Sequence, residues 1–252
     1  MNMYEIFTYT IVSVILISLI SIIGIFTILL NKEKLHRFLI YFISFSAGAL
    51  LGDAFLHLLP EALEKSEVTV LSTYIILGII LFFGIEKFIQ WRHCHHSHSD
   101  EIKKHGHTHR LAYINLIGDA AHNFIDGLII AGSYLISIPI GLTTTLAVAL
   151  HEIPQEIGDF AVLLHSGLKA KKALAYNLLS ASLAIIGAIV ALFLSRYINS
   201  LNVILSGITI GAFIYIANSD LIPELTKETN TERSFFQLLS FLGGILVMVI
   251  LL

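Results

Sequence analysis

Charge is scarce in this sequence. Asp, Glu, Lys and Arg make up only 13% of it, about half the ~25% usual for a soluble domain. Hydrophobic residues reach 56% and the mean hydropathy is +0.84. That imbalance excludes an ordinary soluble domain and marks an integral membrane protein. Cysteine is nearly absent as well: Cys94 stands alone, which excludes an intrachain disulfide framework. No large excess of one charge sign exists, the net charge being −3, so nothing suggests nucleic-acid binding. No Lys or Arg precedes the first apolar run, and no small-residue cleavage site follows it. Residues 6–30 therefore read as a retained membrane helix and not as a signal peptide.

What the chain has is apolar length. A spanning helix needs about 20 mostly apolar residues. Eight segments qualify, at roughly 6–30, 37–60, 68–90, 111–136, 140–165, 172–195, 201–222 and 235–252. The expected fold is an all-α integral membrane protein, an eight-transmembrane-helix bundle forming one domain over residues 1–252. Cytoplasmic loops are enriched in Lys and Arg. The odd-numbered connections hold thirteen of the fifteen basic residues, leaving only Lys65 and Arg196 to the even ones. Both termini are therefore expected outside the cytoplasm.

The spans carry polar groups that should not be there. An Asp, Lys or Arg at the centre of a membrane helix costs about 2.5–3.5 kcal/mol on insertion scales. Yet the fourth segment reads "GDAAHNFIDG", with Asp119, His122, Asn123 and Asp126. The fifth reads "HEIPQEIGDF", with His151, Glu152, Gln155, Glu156 and Asp159. His122 and Asp126 share a helix face at i, i+4. His151, Gln155 and Asp159 form one stripe, and Glu152 with Glu156 the adjacent one. The short connection "SISIPIG" makes the two helices antiparallel neighbours, so the stripes can face each other near the midplane. Buried polar groups can simply glue helices together. This many carboxylates with so few intramembrane cations instead require a cation from elsewhere. Imidazole, carboxylate and amide oxygen suit a borderline divalent transition metal, and carboxylates could bridge two. Pro154 adds to the signal, because it leaves the Leu150 carbonyl without its usual helical donor and transporters place broken helices at their substrate sites.

Two further helix ends share a closing pattern. "GDAFLHLLPEAL" in the second segment carries Asp53 and His57, and "YIANSDLIPEL" in the seventh carries Asn218, Asp220 and Glu224. These groups could line the entrance and exit of a pathway, or be polar helix ends before a Pro stop. The third connection, about 91–110, is the only long polar segment. It holds His93, His95, His96, His98, His105, His107 and His109, seven of the twelve histidines. Such clustering suggests weak metal binding, against a plain solvated linker.

"HNFIDG" and "HEIPQEIGDFAVLLHSG" resemble the paired helix-four and helix-five signatures of the ZIP (Zrt-, Irt-like) metal transporters. They most resemble the subfamily whose fifth helix carries an HEIPHE-type motif. The second and seventh segments are similar to that family's too, so the resemblance covers nearly the whole chain. It implies transport of zinc, with iron or manganese as alternatives, toward the cytoplasm by alternating access, one helix bundle sliding against a scaffold. It implies a binuclear metal site between helices four and five, on His122, Asn123, Asp126, His151, Glu152, Gln155 and Glu156. Gln155 departs from the subfamily, which has His there, and this bears on the second metal position and on selectivity. Asn177 and Ser180 are the candidates for a sixth-helix contribution.

The expectation is a permease and not an enzyme, with metal as substrate and no cofactor. Asp53, His57, Asp119, Asp159, Asn177 and Asp220 are assigned to the pathway or to accessory roles. Protons should compete with metal, so binding should weaken as pH falls through the histidine range. The alternatives are an intramembrane metalloprotease, since "HEIPQ" partly matches H-E-x-x-H, and a metal sensor that does not transport. Expected partners are divalent metal ions and the lipid bilayer, with a homodimer left open and no nucleic acid. The Ile-, Asn- and Lys-rich composition points to a prokaryotic inner membrane.

Overall fold

The computed structural model describes residues 3–29, 32–94, 107–198 and 200–252. Among these the chain is helical throughout, with no strand. The rods are α1 (Met3–Leu29), α2 (Lys32–Lys65), α3 (Val68–Cys94), α4 (His107–Ile136), α5 (Ile138–His165), α6 (Ala170–Leu194), α7 (Leu201–Leu225) and α8 (Thr231–Ile250). By length and composition, six of them, all but α4 and α5, are apolar enough to cross a membrane. The two exceptions are the helices that carry most of the buried acids and histidines, which lower their hydropathy.

The exposed faces are apolar, unlike those of a soluble protein, and polar side chains share the interior with the hydrophobic core. In α1, Thr10, Ser13, Ser18 and Ser21 are buried while Phe7, Leu16 and Leu19 are exposed. With hydrocarbon outside, the inside is the only place for a hydroxyl to find a partner. Ser13 is hydrogen-bonded to the buried Tyr134 hydroxyl of α4 at 2.8 Å, and Ser18 donates to the Ala181 carbonyl of α6 at 2.9 Å. Together α1, α4, α5 and α6 form one packed group, while α2 packs on α8 and α3 on α7.

Close helix approach rests on missing side chains, as is usual where hydrophobic force cannot press helices together. A Cβ on Gly127 of α4 would lie 1.9 Å from the Ala184 carbonyl oxygen of α6, and one on Gly187 of α6 would lie 1.9 Å from that of Phe124. The α2–α8 crossing uses Gly48 and Gly244 in the same reciprocal way.

Two helices widen locally. Asp53–Leu58 in α2 and Ala217–Leu221 in α7 are π-helical turns. Each lies just before a proline, Pro60 and Pro223. Proline has no N–H for the carbonyl four residues back and its ring crowds that carbonyl. The chain responds with i→i−5 bonds, Leu59 N–H to the Ala54 carbonyl and Ile222 N–H to that of Ala217. Pro154 has a different outcome: α5 stays an α-helix from Ile138 through to His165.

Candidate metal site

Helices α4 and α5 are separated by Ser137 alone, which is extended and caps α5 by accepting from the Ile140 N–H. Pro139 in the first turn presets the helical φ. His122 stands fifteen residues before Ser137 and His151 fourteen after it. Two antiparallel helices rising about 1.5 Å per residue therefore bring both imidazoles to one depth.

There they meet Asp126 and Glu152, with one ligand atom from each of the four residues lying within 4.8 Å of all the others. The two Nε2 atoms are 3.3 Å apart. His122 Nε2 is 3.6 Å from Asp126 Oδ2 and 3.4 Å from Glu152 Oε1. His151 Nε2 is 3.6 Å from Asp126 Oδ2 and 3.5 Å from Glu152 Oε1. Ligands around a tetrahedral ion stand about 1.63 bond lengths apart, so Zn–N and Zn–O bonds of about 2.0–2.1 Å give edges of about 3.3–3.4 Å. Five separations of 3.3–3.6 Å match that figure closely.

Electrostatics and tautomer point the same way. Asp126, His151 and Glu152 are buried, and all four carboxylate oxygens of Asp126 and Glu152 lack a hydrogen-bond partner. A buried acceptor-only group left in that condition is costly. His151 Nδ1 lies 3.3 Å from the Ala147 carbonyl. A carbonyl can only accept, so Nδ1 carries the proton and Nε2 presents its lone pair to the cluster. Phe82 and Phe213 stand edge-on to His122 and His151 and wall the site with hydrocarbon.

The other residues of the two motifs lie around this cluster. The Asn123 amide donates to Asp119 Oδ1 at 2.7 Å, and the Ser180 hydroxyl of α6 donates to the other Asp119 oxygen. The Asn177 amide donates to Glu156 and, at 3.3 Å, to the Ser21 carbonyl of α1. Asn123 Oδ1, Glu156 Oε1 and Asn177 Oδ1 are buried without a hydrogen-bond partner. Gln155 and Asp159 line a cavity of about 420 Å³ that reaches His122 and His151. Its far wall carries Glu86 of α3 and Asp220 and Glu224 of α7, and among the described residues no Lys or Arg lines it.

A second polar cluster lies toward the N-terminal end of α5. Asp53 and His57 are buried, 3.1 Å apart through Oδ1 and Nδ1, and Thr144 of α5 donates to Asp53 Oδ2 at 2.8 Å. Of the histidine-rich segment, His95, His96, His98 and His105 lie outside the described residues. His93 falls in the last turn of α3, and His107 and His109 in the first turn of α4.

The sequence reading had missed Glu86, Tyr215, Thr144 and Ser46. Glu86 was hidden beside Lys87 at a helix end; here the Tyr215 hydroxyl donates to it across the cavity wall.

The family model described as ZIP Zinc transporter matches residues 5–112 and 90–252. The chain belongs to the ZIP zinc transporter family. It is 35% identical to the Zinc transporter ZIP13 of Pongo abelii over 225 residues, covering 82% of this chain and 65% of that protein. Human Zinc transporter SLC39A7 is 28% identical over 309 residues, covering 88% of this chain and 65% of its own length. Zinc transporter ZIP13 of Danio rerio is 31% identical over 269 residues, covering 87% and 76% respectively. The chain thus spans just under two thirds of the length of the first two. Family and helices together make it a multi-pass integral membrane protein.

Proposed function

We propose that this ZIP protein carries divalent transition metal, zinc foremost with iron or manganese as alternatives, across a membrane into the cytoplasm. The observation that carries the reading is the set of five 3.3–3.6 Å separations among His122, Asp126, His151 and Glu152, two imidazoles and two carboxylates spaced like the edges of a tetrahedron around zinc. Metal is the substrate here, and no bond is made or broken beyond its coordination.

The route follows from what is open and what is shut. Eight spans with both termini outside would put the cavity on the cytoplasmic side, where the basic connections lie. Its acidic lining would draw a released cation outward from the site. The Asp53–His57–Thr144 contact would close the outer path in this conformation. Metal would enter past Asp53 and His57 in another, reached when α1, α4, α5 and α6 shift against the remaining helices. Asn123, Glu152, Gln155 and Glu156 would supply a second metal position, with Gln155 standing where the HEIPHE-type subfamily has His. The histidine-rich segment would buffer metal on the cytoplasmic side.

The protease reading needs a carboxylate free to act as general base, whereas Glu152 sits among the ligand atoms. The vertebrate relatives, all named zinc transporters, lend no support to a prokaryotic inner membrane.

The test is zinc uptake into proteoliposomes loaded with an indicator, comparing wild type with His122→Ala and His151→Ala. Saturable uptake lost in both variants is expected. Folded, zinc-binding protein that moves no metal would overturn transport in favour of sensing.

A further inference from the structure

The Leu150 carbonyl of α5 precedes the ligand His151 by one residue and faces a proline four residues on. Its ordinary helical donor is therefore missing. The replacement comes from another helix: the Ser46 hydroxyl of α2 lies 2.6 Å from the Leu150 oxygen. Ser46 is fully buried, so water does not compete for the bond. The same hydroxyl lies 2.8 Å from the Phe42 carbonyl in its own helix. A serine hydroxyl has one hydrogen, so the two carbonyls share it or alternate for it.

We propose that Ser46 is a positioning residue, a releasable latch that holds the proline turn of α5 against α2 and so sets the depth of His151 and Glu152. The device rests on the transport reading for its purpose, not for its existence. Ser46 and Leu150 lie on α2 and α5, which touch directly but belong to groups with larger contacts of their own, α2 with α8 and α5 with α1 and α4. Moving one group along the other must break the bond between them. When it breaks, the Ser46 hydrogen still has the Phe42 carbonyl, so no buried donor is stranded. The Leu150 carbonyl, freed beside the metal ligands, can take water from the cavity. The latch is thus firm in one conformation and cheap to open, which a two-state carrier needs.

Four full-length proteins test this: wild type, Ser46→Ala, Pro154→Ala and the double variant. Two readouts are taken, amide hydrogen exchange across residues 148–153 in detergent and zinc uptake in proteoliposomes. Ser46→Ala alone is expected to speed exchange about five- to ten-fold, the factor implied by one hydrogen bond, and to raise the KM for zinc. Pro154→Ala restores a backbone N–H at that position, which can serve the Leu150 carbonyl. In that background, removing the Ser46 hydroxyl should change neither readout. An equal effect of Ser46→Ala in both backgrounds, or no effect on exchange in either, overturns the latch even if wild type transports zinc. Non-additive exchange in a protein that moves no zinc supports the latch and counts against the transport reading.

Discussion

His122 Nε2 and His151 Nε2 face each other at 3.3 Å across the α4–α5 interface. Two imidazole lone pairs cannot share that space without a cation or a proton between them. With the His151 Nε2 lone pair turned to the cluster by the Ala147 contact, a metal ion bound there would satisfy both rings and both carboxylates at once.

Removing one member of this set should therefore cost more than packing. Changes to groups that merely support metal ligands cost about 10–100-fold in affinity. His122→Ala and Glu152→Gln, which take away or neutralise a ligand, are expected to lose at least that much zinc affinity while the fold persists. Competition with a zinc indicator, alongside helical circular dichroism, checks this. Affinity within a few-fold of wild type in either variant would remove that residue from the site.

Gln155 lines the cavity one turn beyond His151. Imidazole favours zinc, whereas amide and carboxylate oxygen leave more room for manganese. Gln155→His should shift the uptake ranking toward zinc over manganese. Paired uptake assays with the two metals read the shift, and an unchanged ranking would show that Gln155 does not touch the ion.

Thr144, which donates to Asp53, precedes His151 by seven residues, about 10 Å along α5. His57→Ala should raise the KM for uptake. Zinc binding at the His122 cluster should stay within about two-fold, as expected of separated sites. Calorimetry on the same preparation separates the two quantities. Equal losses in both would assign His57 a structural role.

At Gly187 the neighbouring backbone leaves no space for a methyl group, since a Cβ would sit 1.9 Å from the Phe124 oxygen. Gly187→Ala should destabilise the α4–α6 pair by about 1–3 kcal/mol. Gly158 of α5 has nothing within 4 Å of its would-be Cβ, and Gly158→Ala should instead gain about 0.5–1 kcal/mol of helix propensity. Thermal melts in detergent distinguish the two.

How much of this was legible beforehand depends on spacing. The helices followed from apolar length, and the rods fall close to the expected segments. His122, Asp126, His151 and Glu152 were legible as a group because i, i+4 spacing and equal distances from one short turn fix their depth. Which neighbours join them was not. Asn123 is one residue, about 100°, around the helix from His122, and its amide is held by Asp119. Glu156 turns to Asn177 on α6, a contact between helices that no spacing within α5 could reveal. Pro154 was expected to break its helix; a serine on another helix fills the gap instead. The π turns escaped notice because a widened turn leaves no trace in apolar periodicity over so few residues.

Those turns make the chain's length a structural variable. Gly48 and Pro60 stand twelve residues apart, as do Gly211 and Pro223, and each interval holds one residue more than a regular helix would use. Deleting a single residue from Ala217–Leu221 would close the widened turn to plain helix and leave everything after it facing as before, because the turn already absorbs the extra residue's rotation of about 100°. Glu224 would stay on the cavity wall, whereas one residue removed from the regular helix before the turn would carry it about 100° away. A variant one residue shorter at either turn should thus be far less damaging than one shortened elsewhere in the same helix, and two ZIP sequences that differ by such a gap would present the same side chains to the ion.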